Sequence, residues 1–87
     1  MPKYEIIVRG TAAKQIKRLP VDYFRLIQQH IESLAERPRP PDAKKLRGDW
    51  GYSLRVGVYR VLYEIDDQAC TVTIYRVKHR QDVYRRP

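Results

Sequence analysis

Basic residues are concentrated in two parts of this 87-residue chain, and a histidine and a tyrosine accompany them. Residues 44–60 and residues 76–87 each hold five basic residues and one acidic residue, a net charge of +4 each, whereas the rest of the chain holds eight of each sign. Charge concentrated in this way produces a local field that can hold a polyanion. Nucleic acid is therefore the first partner that the sequence indicates.

The residue types in these two parts can bind phosphate and act on RNA. Cleavage of RNA without a metal ion needs a group that removes the 2′-hydroxyl proton, a group that protonates the leaving oxygen and a cation beside the phosphorane. His79 is the strongest acid–base candidate by residue type, and Tyr84 can stack on a nucleobase, which contributes about 1–3 kcal/mol per base. The cations suited to phosphate oxygens are Arg55, Arg60, Lys78 and Arg80.

Each of these residues also has an ordinary structural interpretation. Arg60 could form an ion pair with Glu64, which follows it on the same predicted strand. His79 could be a plain surface histidine, and Tyr84 could pin the C-terminal segment to the core. A solvated loop before the predicted sheet would account for three further cations, Lys44, Lys45 and Arg47.

Length and composition exclude several classes of protein. The chain has the size of one small domain, residues 1–87, with a modest core. The single cysteine, Cys70, excludes an internal disulfide, and two widely separated histidines give no metal-ligand spacing, so we expect no metal and no other cofactor. Neither a signal peptide nor a membrane-spanning stretch is recognisable, and we expect a cytoplasmic protein.

Hydrophobic periodicity predicts an α+β domain with the element order β-α-α-β-β-β. Thr11 is a plausible N-cap for the first helix, and Gly57 lies where two antiparallel strands need a turn. Helices grouped ahead of strands favour a pair of helices packed on one face of an antiparallel-rich sheet. The predicted segments are a strand at 4–9, a helix at 12–19, a second helix between Pro20 and the prolines at 38–41, and strands at 50–56, 58–65 and 70–77.

The other face of such a sheet would carry charges. Positions that alternate with the apolar residues include Ser53, Arg55 and Arg60, so cations from different strands would share one surface. The register decides this, because a slip of one residue turns every side chain to the opposite face.

Three stretches, KLRG at residues 45–48, YSLRVGVYRVLYEI at 52–65 and VKHRQDVY at 77–84, resemble the RelE/ParE superfamily of small toxins from bacterial type II toxin–antitoxin modules, and the RelE branch most of all. The resemblance implies a RelE-like fold and an mRNA interferase that cleaves mRNA in the ribosomal A site without a metal ion and so inhibits translation. It also implies a cognate antitoxin, small, acidic and partly disordered like RelB, which covers the basic face in a hetero-oligomer. The ribosome and mRNA are the other expected partners, and we expect no binding to a membrane.

The resemblance also implies roles for single residues. Arg60 matches the strand arginine that contacts the scissile phosphate, Arg80 the tail arginine that contacts phosphate or protonates the leaving group, and Tyr84 the tail tyrosine that positions the substrate. With His79 they form the predicted catalytic set. The residues predicted to bind RNA or the ribosome are Lys44, Lys45, Arg47, Arg55, Lys78 and Arg85.

One part of the family pattern is missing. RelE toxins carry lysines just before the Leu-Arg pair, one of them a proposed general base, and Gly51 and Ser53 stand at those positions here. Lys44, Lys45 or His79 could replace that base. Two other functions stay open: a ParE-like poison of DNA gyrase without nuclease activity, and a degenerate, non-toxic member that keeps only antitoxin or RNA binding.

Overall fold

A five-stranded mixed sheet carries two helices on one of its faces. The computed structural model describes residues 3–80. The elements are β1 (Glu5–Val8), α1 (Gly10–Lys17), α2 (Val21–Ser33), β2 (Ala43–Lys45), β3 (Tyr52–Val56), β4 (Tyr59–Asp66) and β5 (Thr71–His79). The predicted α+β class is confirmed, and the structure adds one short strand, β2, where the sequence indicated a loop.

The strand order across the sheet is β1-β5-β4-β3-β2. The last four strands pair antiparallel, and β1 pairs parallel with β5. The two longest strands, β4 and β5, therefore form the middle of the sheet. A β-bulge at Tyr75 separates the pairs Leu62–Arg76 and Tyr63–Ile74.

The core lies between the two helices and one face of the sheet. The periodicity of the sequence predicted its helical half, since α1 buries Ala12 and Ile16 and α2 buries Ile27 and Ile31. A buried aliphatic or aromatic side chain contributes about 1.5–3 kcal/mol, so these contacts hold the helix pair on the sheet. The sheet supplies Leu54, Val56, Val61, Tyr63, Val72, Ile74 and Val77.

A polar contact fixes α1 over the centre of the sheet. The backbone N–H of Val77 donates to Oε1 of Gln15 at 2.7 Å. Val77 lies beyond the last residue of β5 that pairs with β1, so this N–H has no strand partner on that side. The side chain of Gln15 thus satisfies a backbone group that would otherwise be costly to bury.

Three local predictions were wrong, each for a backbone reason. Thr11 is not the N-cap of α1, because the helix begins one residue earlier and Arg9 precedes it. Trp50, where the predicted strand at 50–56 begins, does not lie in β3; 67% of the residue is exposed, because Gly51 adopts φ +90° and breaks the strand. Cys70 lies in the turn before β5, with φ +55°, and is half-buried.

Candidate functional site

Three cations form a row across the face of the sheet opposite α1 and α2. Arg55 on β3 lies directly opposite Arg60 on β4, and Arg60 lies directly opposite Lys78 on β5. Residues paired in this way point to the same face, and here their neighbours along each strand, such as Val56 and Val61, are buried beneath the helices. The register therefore gathers three cations that the sequence separates by up to 23 positions. The open face predicted for Arg55 and Arg60 is confirmed.

A second row on the same face continues the basic surface. Its four members are Lys44, Ser53, Leu62 and Arg76, one from each of the strands β2 to β5. The β-bulge at Tyr75 adds one residue to β5 and so shifts the alternation of its side chains by one position, which places Arg76 on this face. Sequence reasoning did not single out Arg76, although its place in the second charged part was a signal for it.

Two hollows surround Arg60. The larger, of about 260 Å³, is lined by Pro41, Asp42, Lys44, Ser53, Arg55 and Arg60. The smaller, of about 40 Å³, lies beside the turn between β3 and β4 and is lined by Arg55, Gly57, Val58, Tyr59, Arg60 and Arg80. The backbone N–H of Arg80 donates to the carbonyl of Val58, which attaches the end of β5 to that turn. Arg55 and Arg60 line both hollows, and Arg60 also lies between Arg55 and Lys78 in the row, so Arg60 is the centre of the site.

These cations are not neutralised within the part of the chain that the structure describes. The ion pairs among residues 3–80 are Lys3–Glu36 and Arg39–Asp67. Glu64, the alternative partner for Arg60, lies opposite Thr73 and forms no ion pair with Arg60 within 4.0 Å. Unpaired guanidinium groups on one face form a site for an anionic ligand, with phosphate the best geometric match.

The other predicted site residues lie elsewhere or outside the described residues. His79 lies opposite Tyr59 in the register, on the helix-covered side of the sheet, with the two rings 5.2 Å apart in an edge-to-face arrangement. Lys45 lines a different groove, of about 680 Å³, beside Asp49 and Glu64. Arg47 is exposed in the loop after β2. Predictions for Tyr84 and Arg85 concern residues beyond those that the structure describes.

The two positions where the family resemblance leads us to expect lysine are closed here. A Cβ atom on Gly51 would lie 2.2 Å from the carbonyl oxygen of Tyr63, and the φ of +90° disfavours any side chain. Ser53 is 5% exposed, because it lies between Lys44 and Leu62 in the second row. Glycine at position 51 is therefore required by the backbone.

The opposite end of the sheet holds a paired network instead of free cations. Arg39 contacts both carboxylate oxygens of Asp67, at 3.2 and 2.8 Å, and donates to the hydroxyl of Tyr52, while the hydroxyl of Tyr4 donates to Asp67. The hydrogen bonds from Arg39 and then Tyr4 lower the pKa of Asp67. Burial raises the pKa of Tyr63 to about 12, and its hydroxyl donates to the carbonyl of Pro38. This network fastens the proline-rich segment to the sheet.

Fold and site together define a small α+β protein with a row of cations, unpaired with carboxylates among the described residues, on the sheet face opposite α1 and α2. In residues 3–80, the described helices include none that is long and apolar enough to cross a membrane. No group of three or more histidine, cysteine or carboxylate side chains suited to a metal ion is found among those residues.

Comparison with known proteins identifies the family. A family model described as the ParE toxin of type II toxin–antitoxin systems, parDE, matches residues 6–84. Toxin RelG of Mycobacterium tuberculosis is 35% identical over 85 residues, covering 95% of this chain and 98% of RelG. Putative toxin RelE1 of Methanocaldococcus jannaschii is 30% identical over 91 residues, covering 98% of this chain and 99% of RelE1.

Solved structures agree. The toxin–antitoxin complex RelBE2 of M. tuberculosis contains a chain with a TM-score of 0.79 and 33% identity, over 90% of this chain and 99% of that chain. The archaeal RelE–RelB complex of Pyrococcus horikoshii OT3 contains a chain with a TM-score of 0.81 and 26% identity, over 90% of this chain and 96% of that chain. This chain belongs to the RelE/ParE superfamily of toxins from type II toxin–antitoxin systems, and the predicted family and RelE-like fold are confirmed.

Proposed function

We propose that this toxin is a RelE-type mRNA interferase, which cleaves mRNA in the ribosomal A site without a metal ion and thereby stops translation in the cytoplasm. The observation that carries the proposal is the row Arg55, Arg60 and Lys78, which has no carboxylate partner within 4.0 Å among the described residues. The relatives support it as well, since they are named toxin RelG and putative toxin RelE1.

The proposed reaction uses the 2′-hydroxyl of the substrate as nucleophile. Arg60 holds the scissile phosphate, because it lies in the middle of the row and lines both hollows. Arg55 and Arg80 add positive charge on two sides of that phosphate, which stabilises the phosphorane as its charge increases. Tyr84 stays assigned to substrate stacking as a prediction from the family pattern. Proton transfer by His79 is not part of this proposal, because His79 lies on the helix-covered side of the sheet beside Tyr59.

Cleavage is tested on ribosomes programmed with a defined mRNA. Wild-type toxin should give new mRNA ends within the A-site codon, and Arg60→Ala should lower the rate by about 100-fold, as for loss of one transition-state hydrogen-bond donor. Arg25→Ala, an exposed arginine on α2, is the matched control and should cleave like the wild type. The same RNA without ribosomes should stay intact.

The chemistry is tested on the products. A 2′-deoxy nucleotide at the scissile position should abolish cleavage, and the new 3′ end should carry a cyclic phosphate or its ring-opened form. A metal-bound water would cut the 2′-deoxy substrate too. That result would overturn the proposed 2′-hydroxyl mechanism.

We propose an acidic, RelB-like antitoxin as the second partner. The relatives of known structure are toxins in complex with RelB-type antitoxins. An acidic segment that folds on the basic face would relieve the repulsion among its cations and stabilise the toxin by mass action. Binding should raise the melting temperature and block cleavage, and both effects should weaken with added salt.

Poisoning of DNA gyrase is the second candidate, because the matching family model is described as a ParE toxin. That function predicts accumulated gyrase–DNA cleavage complexes with purified gyrase and supercoiled DNA. Such complexes, together with intact mRNA on the ribosome, would overturn the first proposal and favour gyrase poisoning. A toxin inactive in both assays would be the degenerate member that binds antitoxin or RNA alone.

A further inference from the structure

The proposed reaction lacks a proton acceptor among the cations of the site. Arginine stays protonated throughout the physiological range, so neither Arg55 nor Arg60 can take the 2′-hydroxyl proton. The acceptor must lie within hydrogen-bond reach of a nucleotide whose phosphate Arg60 holds. The hollow of about 260 Å³ beside Arg60 is where such a group has to be found.

Asp42 is the carboxylate that lines this hollow. It immediately precedes β2, whose residues Ala43 and Lys44 lie opposite Leu54 and Ser53. Asp42 itself lies in the turn before β2, where it shares the hollow with Arg55 and Arg60.

The carboxylate of Asp42 is also available. The residue is exposed, and among residues 3–80 it forms no ion pair within 4.0 Å, although Arg55 and Lys44 line the same hollow. Nothing in the described part of the chain therefore occupies the oxygens that would accept a proton.

Lys44 is the competing candidate, because it lines the same hollow. Lysine side chains are ordinarily protonated at neutral pH, whereas carboxylates are ordinarily ionised and ready to accept a proton. Lys45 and His79 do not line this hollow.

We infer that Asp42 is the general base of the proposed cleavage, an inference that rests on the proposed function. One carboxylate oxygen takes the 2′-hydroxyl proton as O2′ bonds to phosphorus. The P–O5′ bond breaks, and the leaving O5′ gains a proton from water. The products are a 2′,3′-cyclic phosphate and a 5′-hydroxyl, and solvent takes the proton from Asp42.

A carboxylate in a site for phosphate has a recognisable signature. Its negative charge repels the substrate, so Asp42→Asn should bind RNA as well as the wild type or better, yet cleave it more slowly. Substitution of a residue that only supports the fold would not slow cleavage while RNA binding stays equal or becomes tighter. The decisive measurements are therefore kcat and KM determined separately.

The experiment uses the full-length toxin on mRNA-programmed ribosomes. Asp42→Asn should lower kcat by about 100-fold, within the range for general base catalysis, with KM unchanged or lower. Asp42→Glu, which keeps the carboxylate, should recover part of that loss. Asp49→Asn is the matched control, since it removes the same charge from an exposed loop and lines the other groove.

The outcomes separate this inference from the function on which it rests. If Arg60→Ala is inactive but Asp42→Asn cleaves within about threefold of the wild type, the base is another group and the nuclease assignment stands. A large loss in Lys44→Met with an active Asp42→Asn would move the role to Lys44. If the wild type cuts no mRNA, both are overturned. An unchanged melting temperature for Asp42→Asn excludes misfolding as the cause of a lower rate.

Discussion

Arg60 and Arg39 lie towards opposite ends of the same sheet and are used in opposite ways. Arg39 is bound by two carboxylate oxygens of Asp67 and by the hydroxyl of Tyr52. Arg60 lies between Arg55 and Lys78 with no carboxylate within 4.0 Å among the described residues. One end of the sheet pairs its cation, and the other end gathers cations without partners.

The contrast separates groups that hold the fold from groups kept for a ligand. Like charges on neighbouring strands disfavour the folded state, and a fold tolerates them where a partner will neutralise them. The buried core lies on the opposite face, so the repulsion among surface cations acts against apolar packing that stays intact. We therefore expect changes at the two ends to affect different measurements.

Exchange of the two arginines for alanine is the strongest test of this contrast. Arg60→Ala should lower ribosome-dependent cleavage by about 100-fold and leave stability equal or slightly higher, because it removes repulsion. Arg39→Ala should cleave normally and lose about 1 kcal/mol of stability, since its partners are largely exposed. Cleavage rates and urea midpoints measured on both variants check this. Equal effects of the two changes on cleavage would remove the distinction.

Substitution of Gly51 probes the backbone at the paired end. Gly51→Ala should lower the free energy of unfolding by about 3 kcal/mol, because the new methyl group meets the carbonyl of Tyr63 at a positive φ. Gly10→Ala is the control: a Cβ there meets nothing within 4 Å, and its stability should equal or exceed that of the wild type. Urea denaturation measures both. A fully stable Gly51→Ala would mean that the strand can begin without this turn.

The raised pKa of Tyr63 leads us to expect a loss of stability in alkali. Burial raises its pKa from 10.0 to about 12, so the folded state disfavours its ionised form. This contribution to stability is complete below pH 10.0 and is lost as the pH rises towards about 12. Tyr63→Phe should be about 1 kcal/mol less stable at neutral pH, because the carbonyl of Pro38 loses its donor, and should then lose less stability in alkali. Unfolding curves between neutral and alkaline pH compare the two proteins.

The lowered pKa of Asp67 leads us to expect a smaller loss of stability in acid. Its pKa is lowered from the ordinary value of 3.8 by the hydrogen bonds from Arg39 and Tyr4. The stabilisation is therefore present above pH 3.8 and disappears as the pH falls through the lowered pKa. Asp67→Asn should be slightly less stable than the wild type at neutral pH and should approach it in acid. A constant difference at every pH would assign the effect to packing rather than to charge.

Much of the fold could be predicted from local patterns, and the failures share a cause. The apolar spacing of α1 and α2 identified their buried faces, and alternation identified the strands that carry Arg55 and Arg60. Trp50 was misplaced because the alternation continues through Gly51, whose φ of +90° no periodicity reveals. The strand β2 was missed because three residues at a sheet edge give too short a pattern.

The family, the element order and the amount of positive charge could be predicted without a structure, because motif spacing, periodicity and composition are properties of the chain alone. Which charges meet depends on the pairing of the strands. The strands β2, β3, β4 and β5 pair in that order, and this pairing brings Asp42 and Lys44 beside Arg60. It leaves His79 on the other side of the sheet beside Tyr59. Side-chain direction in a sheet reverses with every residue, so the membership of a site built on strands depends on register, which is fixed by contacts between distant parts of the chain.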